Sequence, residues 1–329
     1  MKTSSSTKPV LAIDIGGTKI MTALFTGDGK LIDRDLIPTL AEQGLEKIVG
    51  RLFAAIESLL QRNTLTPPQI GAICVATAGG INTGRGVVVT PSPHLPGWAE
   101  VPLADMLKKK FDIDTYIIND ASAAALGEHR YGVGKGVANL VLLTLGTGIG
   151  GGIVIDSKLY LGTVGGAGEL GHMTVDANGP KDGCGNAGCL EILASGSAIE
   201  KQAIEHLEKG ELSSLATPFK FKVDITVQDI AAAARNGDRL AQDIISRAAF
   251  YLGVGLVNIT NIFNPELIII GGGMAELGEM IIAPGRKMVA ERAFSVNARS
   301  VRIVPAELGN EAGIHGAAAF ALDMLKRRP

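Results

Sequence analysis

The chain has 329 residues, too many for one ordinary core and suited to two domains, and a formal charge of −2 with scattered basic residues argues against nucleic acid or an anionic membrane as partner. Apolar residues make up 46% of it but aromatics only 4%, with 43 glycines, the profile of an aliphatic α/β protein rich in tight turns. Three cysteines, an odd number, read as reduced thiols in a cytoplasmic protein, and no apolar run approaches the ~20 residues a membrane-spanning helix needs.

The N-terminal stretch MKTSSSTKPVLAIDIGG lacks the apolar region and cleavage site of a signal peptide, and nine residues precede the first apolar run. Three runs, Val10 to Ile15, Met21 to Phe25 and Leu31 to Ile37, are separated by GGTK and GDGK. Glycine and aspartate form turns, so the expectation is an antiparallel meander. Leu45, Ile48, Val49, Leu52, Phe53, Ile56, Leu59 and Leu60 keep the spacing of one buried helix face. Strands follow at IGAICVA (70–76) and TYIIND (115–120), the latter running into an alanine-rich helix, ASAAALGEHR.

The order then begins again. Residues 139–162, NLVLLTLGTGIGGGIVIDSKLYLG, repeat the plan of 9–32: strand, glycine turn, strand, short turn, strand. A repeat offset by about 130 residues implies two domains of one architecture. The boundaries expected are 1–120 plus about 310–329 for the smaller domain and 121–309 for the larger. A helical region spans 227–263, its later part apolar on nearly every face and therefore expected to be buried. NPELIIIGGGMAE is a buried strand ending in glycines, and EAGIHGAAAFALDMLKR is a closing helix expected to pack back on the first domain.

Three glycine turns each sit at a strand terminus: DIGGTK (14–19), LGTGIGGG (145–152) and IIIGGGMA (268–275). Glycine leaves backbone amides uncovered, so such turns can wrap phosphate oxygens, although isolated ones are also ordinary hairpins. None is a dinucleotide fingerprint or a Walker loop. Candidate phosphate-binding residues are Asp14, Gly16, Gly17, Thr18, Lys19, Gly146, Thr147, Gly148, Gly272 and Gly273. Asp14 offers a carboxylate for hydrated Mg²⁺.

DIGGTK, the pair Asn119–Asp120 before an alanine-rich helix, LGTGIGGG, AGELGHM and CGNAGCLE together resemble the ROK family of sugar kinases and related repressors, within the actin and hexokinase superfamily. The likeness runs from about residue 10 to 320. It implies an α/β fold of two ribonuclease H-like domains with a cleft between them, and ATP-dependent phosphorylation of a hexose, most simply glucose, with ATP carried as its Mg²⁺ complex. Alternatives are an N-acetylmannosamine, N-acetylglucosamine or fructose kinase, or a non-catalytic sugar sensor. The family's repressors carry a DNA-binding segment before the first strand, which nine residues do not hold. A homodimer or higher homo-oligomer is the implied assembly.

Residue by residue, the resemblance makes Asp120 the general base and puts Gly79, Asn119, Asp120, Glu169, His172 and Glu191 on the sugar. On residue type alone Asp120 is first an N-cap of the following helix. The family zinc pattern, a histidine with C-x-C-G-x-x-G-C, falls on His172, Asp182, Cys184 and Cys189, with Asp182 where a cysteine is expected. Zinc accepts an aspartate oxygen, so a structural Zn²⁺ is expected; a metal-free loop or a Cys184–Cys189 disulfide are the alternatives. His94 stands where asparagine is common in the family. Trp98 reads as a packing anchor and Cys74 as a core thiol, while His129, His206 and His315 are assigned to helix surfaces or caps.

Overall fold

The computed structural model describes residues 8–327 except 91, 93, 94, 96 and 182, and only the backbone at 275 and 276. His94 and Asp182 thus lie outside the described residues. The chain divides into two compact units, one of residues 1–136, 152–168 and 310–329, the other of 137–151 and 169–309. Residues 121–136, expected in the second domain, group with the first.

The first unit begins with β1 (Val10–Ile15), β2 (Lys19–Phe25) and β3 (Leu31–Pro38), continues through α1 (Leu45–Arg62), β4 (Ala72–Thr77), β5 (Gly80–Asn82), β6 (Val87–Thr90) and α2 (Leu103–Phe111), and reaches β7 (Thr115–Asn119) and α3 (Asp120–Tyr131). Its sheet has the order β3-β2-β1-β4-β7. The first three strands form the antiparallel meander read from the turns, and β4 and β7 add in parallel. The two-residue period of a strand sorts the side chains. Leu11, Ile13, Ile15, Ile73 and Val75 face a core with α1, α2 and the fully buried Trp98, while Val10, Ala12, Ala72, Cys74 and Ala76 face the other way. Asp14 is next in that second series, at the end of β1.

In the second half of the chain come β8 (Leu140–Leu145), β9 (Ile149–Ile155), β10 (Lys158–Leu159), α4 (Leu190–Ala194), α5 (Gly196–Glu208), α6 (Ala216–Lys220), α7 (Val227–Arg235) and α8 (Arg239–Phe263). They are followed by β11 (Leu267–Gly271), α9 (Glu279–Arg292), α10 (Ser295–Ser300), β12 (Arg302–Pro305) and α11 (Ala312–Lys326). The second sheet is ordered β10-β9-β8-β11-β12, with β8, β11 and β12 parallel, the same arrangement as the first. The internal repeat is therefore topological. Strand β11 is buried throughout, as its continuous apolar run requires.

α8 is long and apolar enough, by length and composition, to cross a membrane. It packs instead against α9, α7, α4 and α5, burying Leu252, Leu256 and Ile259. The burial expected of its later part is incomplete: Phe250 is 44% and Ile262 67% exposed.

α11 returns to the first unit and packs on α3, β1 and β4. The approach is close because glycines face backbone. A methyl at Gly316 would collide with the Ala123 carbonyl, and one at Gly127 with that of Ala312. This contact explains why α3 groups with the first unit. His129 on α3 is 7% exposed, and His315 on α11 sits between the rings of Phe25 and Tyr131, both 5.3 Å away, so neither histidine lies on an open surface as expected. His206 does lie outward, its Nδ1 2.6 Å from Glu211.

Candidate active site

The turn after β1 is held from behind. Gly16 N–H donates to the Lys19 carbonyl at 3.0 Å, and the buried Thr39 donates its hydroxyl to the Gly16 carbonyl at 2.7 Å and its amide to the Thr18 carbonyl at 2.9 Å. Arg51 in turn donates to the Thr39 carbonyl. Gly17, Thr18 and Lys19 remain at least partly accessible. Neither Thr39 nor Arg51 carried a signal in the sequence, since both lie outside the glycine motif they support.

Asp14, at the end of β1, is crowded by protein. Burial pushes its carboxyl up to about 7, the charge of Asp120 pushes in the same direction, and Lys19 opposes both. The start of α11 comes to the same place: a methyl on Gly313 would lie 2.6 Å from Asp14 Oδ2. Asp120 is likewise held above the ordinary carboxylate range, by burial first, against a lowering hydrogen bond from the Ala121 amide at 2.8 Å. Part of Asp120 still reaches solvent. The carboxyl expected at the base position therefore acts on the one expected at the phosphate.

The cap of α3 is Asn119, not Asp120. Its side-chain oxygen accepts from Ala121 N–H at 2.9 Å and Ser122 N–H at 3.2 Å, with Asn119 extended and Asp120 already helical. The amide nitrogen of Asn119 donates to the Gly79 carbonyl at 3.4 Å, so two expected sugar residues of this unit are brought together.

In the second unit, Gly146 N–H donates to the Gly148 carbonyl at 2.9 Å, closing a tight turn. Gly272 follows β11 and abuts the Leu145 carbonyl at the end of β8, which brings two of the three glycine turns side by side; Gly273 opens the 3₁₀ turn 273–277. Glu191 reaches the first of these turns: its Oε2 accepts from the Ile149 amide at 2.7 Å. Thr147 and Glu169 are exposed.

His172 closes a 3₁₀ turn of residues 170–172 that begins after Glu169. Its ligand atoms and those of Cys184 and Cys189 all lie within 4.8 Å of one another. The loop between is shaped by bridges of Thr174 with Cys189 and Lys181 with Ala187, and by Asn186 donating to the His172 carbonyl. The two cysteines are not joined in a disulfide, their Sγ atoms lying 3.9 Å apart. Zinc–sulfur bonds of about 2.3 Å in a tetrahedron put two sulfurs about 3.8 Å apart, so this donor set fits zinc.

The chain is similar to known proteins over most of its length. A model described as "ROK family" matches residues 10–324. The glucokinase of Thermotoga maritima is 36% identical over 311 residues, 94% of this chain and 96% of that protein. The crystal structure of a ROK family glucokinase from Streptomyces griseus in complex with glucose and AMPPNP superposes with TM-score 0.77 at 32% identity, covering 96% of this chain and 99% of that one. A xylose repressor of Caldicellulosiruptor bescii is 33% identical over 317 residues, 96% of this chain and 79% of the repressor. The fold is the two-domain actin and hexokinase type. The chain belongs to the ROK family.

Proposed function

We propose that the protein is an ATP-dependent sugar kinase whose acceptor is a hexose, most simply glucose at its 6-hydroxyl, with Asp120 as the general base. The observation that carries the reading is the partly buried Asp120 carboxyl at the start of α3, held above the ordinary carboxylate range by burial, with its charge acting on Asp14 just before the glycine turn 16–19. Its relatives include proteins named glucokinase.

Phosphoryl transfer asks a protein mainly for positioning and charge neutralisation, plus one group to accept the hydroxyl proton. An elevated pKa makes Asp120 a better proton acceptor than an ordinary aspartate, and the helix N-terminus fixes its direction. Asn119 sets the start of that helix. Asp14, through water, is the proposed holder of the Mg²⁺ that neutralises phosphate charge, and the turns at 16–19, 146–148 and 272–273 take the phosphates. Glu169, His172 and Glu191 accept from or donate to sugar hydroxyls, for which ionised carboxylates are suited because each accepts from two neighbouring donors. His172, Cys184 and Cys189 would hold zinc, which would supply orientation and no chemistry.

A coupled ADP-release assay over glucose, mannose, fructose, xylose and the N-acetyl hexosamines tests the reading. Sugar-dependent ADP formation is the expected outcome, strongest with a hexose. Sugar binding without ADP release from any of them would turn the assignment to a sugar sensor; the relatives of this chain include a protein named xylose repressor.

A further inference from the structure

Glu191 is expected on the sugar, yet its best-defined contact lies elsewhere. Oε2 accepts from the Ile149 amide at 2.7 Å, immediately after the turn 146–148, and takes the space that a side chain on residue 148 would need. Among the described residues Oε2 is its only hydrogen-bonded oxygen. The helix that follows α4, α5, begins with a second clamp on the same turn: Gly196 N–H donates to the Gly146 carbonyl at 2.8 Å and Ser197 N–H to that of Thr147 at 3.4 Å. A carboxylate beside a turn that wraps phosphate repels the anion, so its presence asks for an explanation. Fixing the turn is one: the negative oxygen consumes a single amide and holds the backbone of residues 146–149 in one shape.

We infer that Glu191 is a positioning residue for the phosphate turn, linking it to the sugar loop. The identity of the two ligands rests on the kinase reading above; the link itself does not. Sugar engaging Oε1 restrains the same side chain whose Oε2 sets the turn, so sugar and nucleotide affinities are coupled, and the coupling is reciprocal. Glycine at 148 leaves room for Oε2, since a Cβ there would displace the carboxylate end of Glu191.

The test separates the two oxygens. An E191Q amide keeps an oxygen for the Ile149 N–H, whereas E191A has none. Binding of Mg²⁺ with a non-hydrolysable ATP analogue is measured without sugar, together with hydrogen exchange of the 145–152 segment. Loss of a charge-assisted hydrogen bond corresponds to about tenfold or more. The expected result is E191A about tenfold weaker for nucleotide with faster exchange at Ile149, and E191Q within about threefold of wild type with protection kept, while both lose sugar affinity. Wild-type nucleotide affinity in E191A, or E191Q as weak as E191A, overturns the link. Should E191A not fold, G148A serves: the added methyl evicts Oε2, so exchange at Ile149 must rise and sugar affinity fall, and unchanged values overturn the proposal. Failure of the wild-type protein to bind any nucleotide would remove the kinase reading, and equal exchange at Ile149 in all variants would then still dispose of the link.

Discussion

Asn119 caps α3 for its neighbour: the amide oxygen of Asn119 accepts from Ala121 and Ser122, while the carboxyl of Asp120 accepts from the Ala121 amide and from its own. The two residues should therefore separate in experiment. Asp120→Asn is expected to cut turnover by about 10²–10⁴ while leaving sugar binding and thermal stability near wild type. Asn119→Ala is expected to cost about 1 kcal/mol of stability. Melting curves and steady-state kinetics on both check this, and turnover by Asp120→Asn within an order of magnitude of wild type would remove Asp120 from the base role.

The coupling of Asp14 and Asp120 has a pH signature. Asp14 titrates at about 7 in the folded chain against 3.8 as the ordinary value, so between those values the native state binds more protons than the unfolded one. Stability from this group is thus fullest below about pH 4 and is lost as pH rises through 7. Asp14→Asn is expected to be more stable than wild type above pH 7, with the difference vanishing near pH 4, and to be inactive. Parallel melting-temperature profiles for the two proteins across pH 4–8 would contradict the burial of this charge. In the wild type, turnover should rise as Asp14 ionises.

What could be read in the sequence was local. The meander of β1 to β3 and its repetition in β8 to β10 were legible because strand period and glycine turns are short-range signals. The choice of cap was not: asparagine and aspartate cap equally well, and only the backbone angles at the end of β7 select Asn119. Thr39 supports a turn 23 residues away in the chain, and Glu191 binds an amide 42 residues away, pairings that no spacing rule connects. His129 was misjudged for a related reason. The polar residues at the end of α3 look like a solvated face, but His129 shares its side of the helix with Ser122 and Ala125, which pack against Gly152 of β9.

The crossing of α3 and α11 tolerates no side chain at its centre. Gly316→Ala would drive a methyl into the Ala123 carbonyl, which cannot move without unwinding α3. Overpacking of this kind costs about 1–3 kcal/mol, and backbone against backbone belongs at the upper end. Because α3 begins with Asp120 and Gly313 of α11 abuts Asp14, turnover should fall with stability, also in assays well below the melting temperature. Denaturant titration showing wild-type stability for Gly316→Ala would mean that the two helices lie farther apart than described.

The cluster of His172, Cys184 and Cys189 predicts stoichiometric zinc in the purified protein, about one ion per chain by elemental analysis. Cys184 is exposed and Cys189 buried, so a chelator should reach the ion from the Cys184 side, and Cys184→Ser should weaken its retention more than it weakens the fold. Removing the metal frees the loop between Glu169 and Glu191. The proposed sugar contacts of the second unit, Glu169, His172 and Glu191, hang from that loop, and Glu191 also binds the amide that follows the turn 146–148. Zinc-depleted protein is accordingly expected to show a large rise in the KM for sugar, a smaller rise in the KM for nucleotide, and recovery of both on adding Zn²⁺. Full activity in protein shown to contain no zinc would establish that the loop's own backbone bridges suffice.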